Sequence, residues 1–170
     1  MICSLRVDER LIHGQVAMTW TKELRLTGIV IANDEAAKDE MQKMTLKMAL
    51  PHGVKLIVKS VEGAISLLSD SRAEAMRLMV ITRTVADAVK VATAFPKTIE
   101  LVNIGNAGKM SNTDEKKTMM TRAAMLTDAE IQSLRELVNV YPETFFRGTP
   151  EMEKTMASSA LKSVSKGGKN

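Results

Sequence analysis

The residues best suited to chemistry crowd into one stretch, RVDERLIHGQV, from Arg6 to Val16. It holds His13, one of only two histidines in the chain, with Arg6, Asp8 and Arg10 before it and Gly14 and Gln15 after it. An apolar run precedes this stretch and a helical pattern follows, so His13 falls at a helix start. There, unpaired backbone N–H groups and the helix dipole favour an anion and disfavour a protonated ring. A neutral imidazole in that position is a nucleophile. Arg6 and Arg10 could balance a dianion, Asp8 could hold the ring or order an arginine, and Gly14 lets the backbone approach a bound group. These groups suit a histidine that takes a phosphoryl group and gives it away, because that transfer needs mainly positioning and charge stabilisation. A lone histidine is as readily a satisfied structural residue, and on the residues alone both readings stand. His52, in LPHGV, lies in a turn where Pro51 and Gly53 do the bending, and is read as structural.

The elements that must position His13 follow from periodicity. ICSLRV (2–7), GIVIAND (28–34), VKLIVK (54–59), RLMVIT (77–82) and TIELVNI (98–104) read as five strands. Between them lie helical patterns: 15–24 with Val16, Trp20 and Leu24 on one face, 35–50, 60–70 with Ser60 as cap, and 84–95. In 35–50 the apolar stripe is Met41, Met44, Met48 and Ala49, expected in the core, and Pro51 ends the helix. Residues 105–117 read as a long polar loop. RAAML (122–126) reads as a short strand, and Thr127 with Glu130 as a capping box on the next helix. Pro142 demotes 140–146 to an edge or broken strand. A terminal helix is expected over 149–164, with Pro150 near its first turn. Strands alternating with helices predict an α/β fold: doubly wound, a mainly parallel central sheet with helices on both faces. Ligands then bind beyond the carboxyl ends of the strands. The groups sharing that rim are Asp8, Glu9, Arg10 and His13; Asn33, Asp34 and Glu35; Thr82, Arg83 and Thr84; and Asn103, Gly105, Asn106 and Gly108.

Composition narrows the class. The chain has 170 residues, 45% of them hydrophobic and 26% charged, which fits one globular domain; we assign it to 1–165, with 166–170 as a flexible tail. Aromatics are only 3% and no basic run occurs, which argues against nucleic-acid binding. The net charge of +4 would suit an acidic protein partner or an anionic substrate group. With Cys3 the only cysteine and no histidine pair at ligand spacing, no metal site is expected. G-x-G-x-x-G, the P-loop and G-x-S-x-G are absent. No apolar run is long enough for a membrane span and no signal pattern opens the chain, so a cytoplasmic protein is expected.

RVDERLIHGQV closely resembles the signature R-[IV]-D-x-R-L-I-H-G-Q-V of the B component (IIB) of the mannose/fructose/sorbose family of the bacterial sugar phosphotransferase system (PTS). Residues 29–56, SVEGAI (60–65) and VNIG (102–105) extend the resemblance, which covers most of the chain to about residue 150. It implies that His13 is the phosphorylated nucleophile, at Nδ1. The donor would be a phosphohistidine of the IIA component, and the acceptor a sugar carried by the membrane components IIC and IID. Arg6, Asp8 and Arg10 would order the active-site loop and neutralise the phosphate. Gly14 and Gln15 would sit where backbone amides cradle it. No cofactor is implied, since phosphohistidine is itself the carrier. With 170 residues, IIA is expected on a separate polypeptide; a homodimer is left open. Where the family has a second glycine and then Met after VNIG, this chain has Asn106 and Ala107 before Gly108, so Gly105–Met110 departs from the pattern. The alternative is a regulatory phospho-accepting or small-ligand-binding α/β module that does not serve transport.

Overall fold

A computed structural model describes residues 1–167. The elements in order are β1 (Ile2–Val7), α1 (Gly14–Leu24), β2 (Gly28–Ala32), a 3-10 turn (Ala36–Lys38), α2 (Glu40–Met48), β3 (Lys55–Lys59), α3 (Val61–Leu68), α4 (Ser71–Glu74) and β4 (Leu78–Thr82). Then follow α5 (Val85–Ala94), β5 (Leu101–Ile104), β6 (Lys117–Thr121), β7 (Ala124–Thr127), α6 (Asp128–Val140), β8 (Phe145–Phe146), β9 (Thr155–Met156) and α7 (Ala157–Gly167).

Seven strands form one sheet in the order β3-β2-β4-β1-β5-β8-β9. Every neighbouring pair is parallel except β8 with β9. Every residue of β1, β2 and β4 is buried because both sheet faces are covered; β2 is apolar throughout, whereas β1 also buries Ser4 and Arg6 and β4 ends on Thr82. Two separate cores result. One holds Cys3, Ile29, Ile31, Met79 and Ile81 under α1 and α2, with Ala17, Trp20 and Leu46. The other holds Val30, Val80, Val102 and Ile104 under α3, α5, α6 and α7. The α/β, doubly wound, mainly parallel architecture is therefore the one the alternation implies. The two expected caps form: Ser60 Oγ accepts from the Gly63 amide at 3.1 Å, and the Thr127–Glu130 capping box closes on α6; Thr84, read as the first residue of its helix, is the N-cap of α5.

Three expectations fail. The pattern over 35–50 is not one helix, since Asp39 breaks it and caps α2 through Gln42 N. More consequentially, the Met41–Met44–Met48 stripe is not core: these side chains are 80%, 66% and 83% exposed. Leu46, on the opposite face of α2, is the residue that packs on the sheet. We therefore predict that Met44→Ala changes stability by less than about 0.5 kcal/mol in a urea titration, where a core methionine would cost about 2–5 kcal/mol. Third, the terminal helix begins only at Ala157: Pro150 sits in a turn, and Thr155–Met156 pair with β8. The strand expected at 122–126 is β7, but its hairpin partner β6 arises partly within the expected loop. Of the expected tail, 166 and 167 end α7, and 168–170 lie outside the described residues.

Candidate active site

Because β1, β2, β4 and β5 run parallel, their carboxyl ends share a rim, and the chain that leaves β1 crosses it. The end of β1 is tied to both neighbours: Asp8 N donates to Thr82 O at 2.9 Å, and the Val7 carbonyl accepts from Gly105 N at 2.8 Å. Asp8 is then the hub of a loop. Its Oδ2 accepts from Arg6 Nη2 at 2.9 Å, and its Oδ1 from the amide and Nε of Arg10 at 3.1 and 3.3 Å. Its carbonyl accepts from Leu11 N at 2.9 Å, which closes a turn with Leu11 in the left-handed region at φ 60°. A branched side chain there is strained unless its surroundings hold it. Here Leu11 and Ile12 are buried against Ala17 and Trp20 and pin the loop to the core.

Arg6 does not reach solvent. It is 1% exposed and lies between Asp8, the Arg147 carbonyl at 3.2 Å and the Trp20 ring, 5.8 Å from its centroid. Burial drags its guanidinium below the ordinary arginine range, and Asp8 pulls it back up. Trp20 is held in turn by Nε1 donating to Gly148 O at 2.8 Å. Gly105 makes the pair sterically possible: a Cβ there would overlap the Arg6 guanidinium and stand 2.7 Å from Asp8 Oδ2. We predict that Gly105→Ala costs about 1–3 kcal/mol of stability by overpacking, measured by urea unfolding.

From this fixed loop His13 emerges exposed, as the N-cap of α1, with φ −132° and ψ 111°. Its side chain makes no capping bond, and the first turn of α1 carries no acidic residue. The leading amides at Gly14 and Gln15 thus face solvent with no internal partner, as at any uncapped helix start. Around Gly14 there is open space: a Cβ would meet nothing within 4 Å. The site therefore gathers Asp8, Arg10, His13, Gly14 and Gln15 at one rim and keeps Arg6 beneath them. His52 is set apart, since it precedes β3 and so belongs to the opposite end of the parallel sheet.

Other rim groups divide by use. Asn33 Oδ1 and Asp34 Oδ1 accept from the amides of Ala36 and Val61, both at 2.9 Å, as turn and helix caps. Glu9 has a use that sequence reasoning missed: its two carboxylate oxygens accept from the amides of Lys109 and Met110, at 3.2 and 3.0 Å. Its own amide donates to Asn106 O at 2.8 Å. The Gly105–Met110 segment is thus clamped onto the first loop. Lys117 Nζ holds its far side through the Gly108 and Ser111 carbonyls. At Gly108, φ +74° and a Cβ collision with the Met125 carbonyl require glycine. No local sequence signal pairs Glu9 with residues a hundred positions away.

Comparisons with known proteins agree with this geometry. The family described as the PTS system sorbose subfamily IIB component matches residues 2–166. A probable phosphotransferase enzyme IIB component of Streptococcus pyogenes serotype M6 is 46% identical over 141 residues, 82% of this chain and 86% of that one. The sorbose-specific EIIB component of Lacticaseibacillus casei is 33% identical over 141 residues, 81% of each chain. The crystal structure of the IIBSor domain of the Klebsiella pneumoniae sorbose permease superposes with a TM-score of 0.85 at 26% identity, covering 96% of this chain and 97% of that one. Fold, rim and relatives define a phosphotransferase, an enzyme II component acting with others in sugar uptake. Within that class, the chain belongs to the sorbose subfamily of PTS IIB components. No helix among the described residues is long and apolar enough to cross a membrane.

Proposed function

We propose that His13 carries the phosphoryl group between a IIA component and a sugar. In the first step Nδ1 of His13 attacks phosphorus on the IIA phosphohistidine. The donor P–N bond breaks as the His13 P–N bond forms. In the second, a sugar hydroxyl attacks that phosphorus, the His13 P–N bond breaks and the hydroxyl proton is released. The leading amides of α1, at Gly14 and Gln15, and the Arg10 side chain offset charge on the transferring group. Arg6 acts from below by holding Asp8, and Asp8 orders Arg10. The observation that carries this reading is the position of His13, exposed and uncapped at the start of α1 beside a loop fixed at both ends.

A IIA partner is supported by the mannose-specific EIIAB component of Escherichia coli K12, 30% identical over 132 residues, 78% of this chain and 39% of that one. The second step would take place in the cytoplasm, peripherally at the membrane, on sugar delivered by IIC and IID. Pairing into a homodimer belongs to the same reading. The test is incubation with phosphorylated IIA: acid-labile phosphate should appear on the wild type and be absent from His13→Gln. Labile phosphate persisting on the variant would falsify the assignment.

A further inference from the structure

Arg83 lies on the same rim, and nothing in the steps above uses it. The topology sets its surroundings apart. Strands β4 and β1 are neighbours, yet their outgoing connections diverge, with α1 on the Trp20 face and α5 on the other. Such a divergence is a switch point, and it opens a crevice beyond the carboxyl ends of the two strands. Here the crevice is a cavity of about 560 Å³. Arg10 comes to it from the loop after β1, and Arg83 and Thr84 come from the turn after β4. Gln42 closes it on the α2 side and Ser111 on the side of the clamped segment.

Both arginines bring unused donors. Arg10 spends Nε on Asp8, and its terminal nitrogens have no hydrogen-bond partner among the described residues. Arg83 spends Nη1 on Glu35 at 3.1 Å, while its Nε is buried and unpartnered. That Nε is shut off from solvent, so the donors Arg83 offers the crevice are those of Nη2, which has no hydrogen-bond partner among the described residues. Glu9 and Glu130 line the same cavity but cannot neutralise the arginines freely, because the Glu9 carboxylate is held by the Lys109 and Met110 amides and that of Glu130 by the Thr127 amide in the α6 capping box. Two guanidinium forks with spare N–H groups in one crevice match a dianion with several acceptor oxygens. Gln42, Thr84 and Ser111 add groups that suit hydroxyls. Arg10 precedes His13 by three residues, a reach of at most about 10 Å.

We propose that this crevice binds a dianionic phosphoryl group through Arg10 and Arg83, making Arg83 a further ligand of the phosphotransfer site. Two sources share that chemistry: the phosphate of a sugar phosphate, and the phosphoryl group on His13. The site deepens the phosphotransfer reading and rests on it.

The test has two arms. In the first, the unphosphorylated protein is titrated with glucose 6-phosphate and with inorganic phosphate, followed by amide NMR shifts. If the sugar phosphate is the ligand, shifts appear at Arg10, Arg83 and Ser111, and Arg83→Gln weakens binding about tenfold or more. Arg83→Lys, which keeps the charge and loses the fork, should fall between. In the second arm, phosphorus NMR follows the lifetime of phosphohistidine. If the group on His13 is the ligand, Arg83→Gln shortens that lifetime about threefold or more. Wild-type affinity and lifetime both unchanged in Arg83→Gln, or no binding of either probe with an unchanged lifetime, overturn the proposal. A thermal melt confirms that each variant is folded. The first arm needs no phosphorylated His13, so a failure of the phosphotransfer reading would leave its outcome separately readable.

Discussion

His13→Asn is expected to make the protein more stable and inactive at once. The N-cap residue of α1 has the extended backbone that capping requires, yet the histidine side chain makes no cap bond. Asparagine is among the best N-cap residues, because its Oδ1 can accept from an amide of the first turn. Replacement should therefore add about 0.5–1 kcal/mol, read as a higher urea midpoint at constant slope. The same change removes the nucleophile, and phosphoryl acceptance from IIA should fall by ~10⁴-fold or more. Both outcomes have one cause. A capped start spends on its own side chain the amides that an uncapped start keeps for an anion. If His13→Asn is less stable than wild type, the first turn is satisfied some other way and the anion argument fails. If it still accepts phosphate, the nucleophile lies elsewhere.

What the sequence discloses depends on how far apart the interacting residues lie. Five strands and the helices between them were legible because each strand–helix switch changes the hydrophobic period locally. The α2 stripe misled for a physical reason. Periodicity reports that a helix has an apolar face, but not whether a neighbour covers it. Strand β3 ends the sheet order, and α2, which connects β2 to it, lies at that margin. One narrow face of α2 is covered, and it is the Leu46 face. Of the β-like run 140–146 only Phe145–Phe146 forms a strand, through pairing with β5 some forty positions earlier, and the two-residue β9 exists only as the partner of β8, so its local pattern reads as helix.

The candidate site divides in the same way. Arg6 and Asp8 are two positions apart at the end of a strand and so share a face, which makes their pairing readable from alternation. That the pair is buried was not readable. Its enclosure comes from Trp20, the Arg147 carbonyl and the space left by Gly105, scattered over the whole chain. Sequence reasoning had Arg6 neutralising phosphate, whereas in the structure it lies under Asp8, with Arg10 the arginine of the loop nearer solvent. Arg83 stood on the rim in sequence with no role attached, because its spare donors show only once β4 and β1 are neighbours.

Asp8→Ala should cost about 3–5 kcal/mol, the most damaging single change at the site for stability. Arg6 and Asp8 are both 1% exposed and joined at 2.9 Å. Removing the carboxylate leaves a guanidinium in the core with the Arg147 carbonyl and the Trp20 ring as its remaining company. Neither carries a full opposing charge, and arginine does not escape by losing its proton. Replacing both partners separates folding from function. Arg6→Met with Asp8→Leu removes both buried charges and fills their volume, which is neutral or stabilising at buried pairs elsewhere. The double variant should therefore recover most of the stability lost in Asp8→Ala. It should not recover phosphotransfer, because Asp8 Oδ1 also holds the Arg10 amide and Nε, and no aliphatic side chain can. Urea unfolding of the three proteins, read beside phosphoryl acceptance from IIA, decides the point. A double variant as unstable as Asp8→Ala would show that the pair's charge is not what costs. A double variant that is stable and active would show that Asp8 serves the core alone.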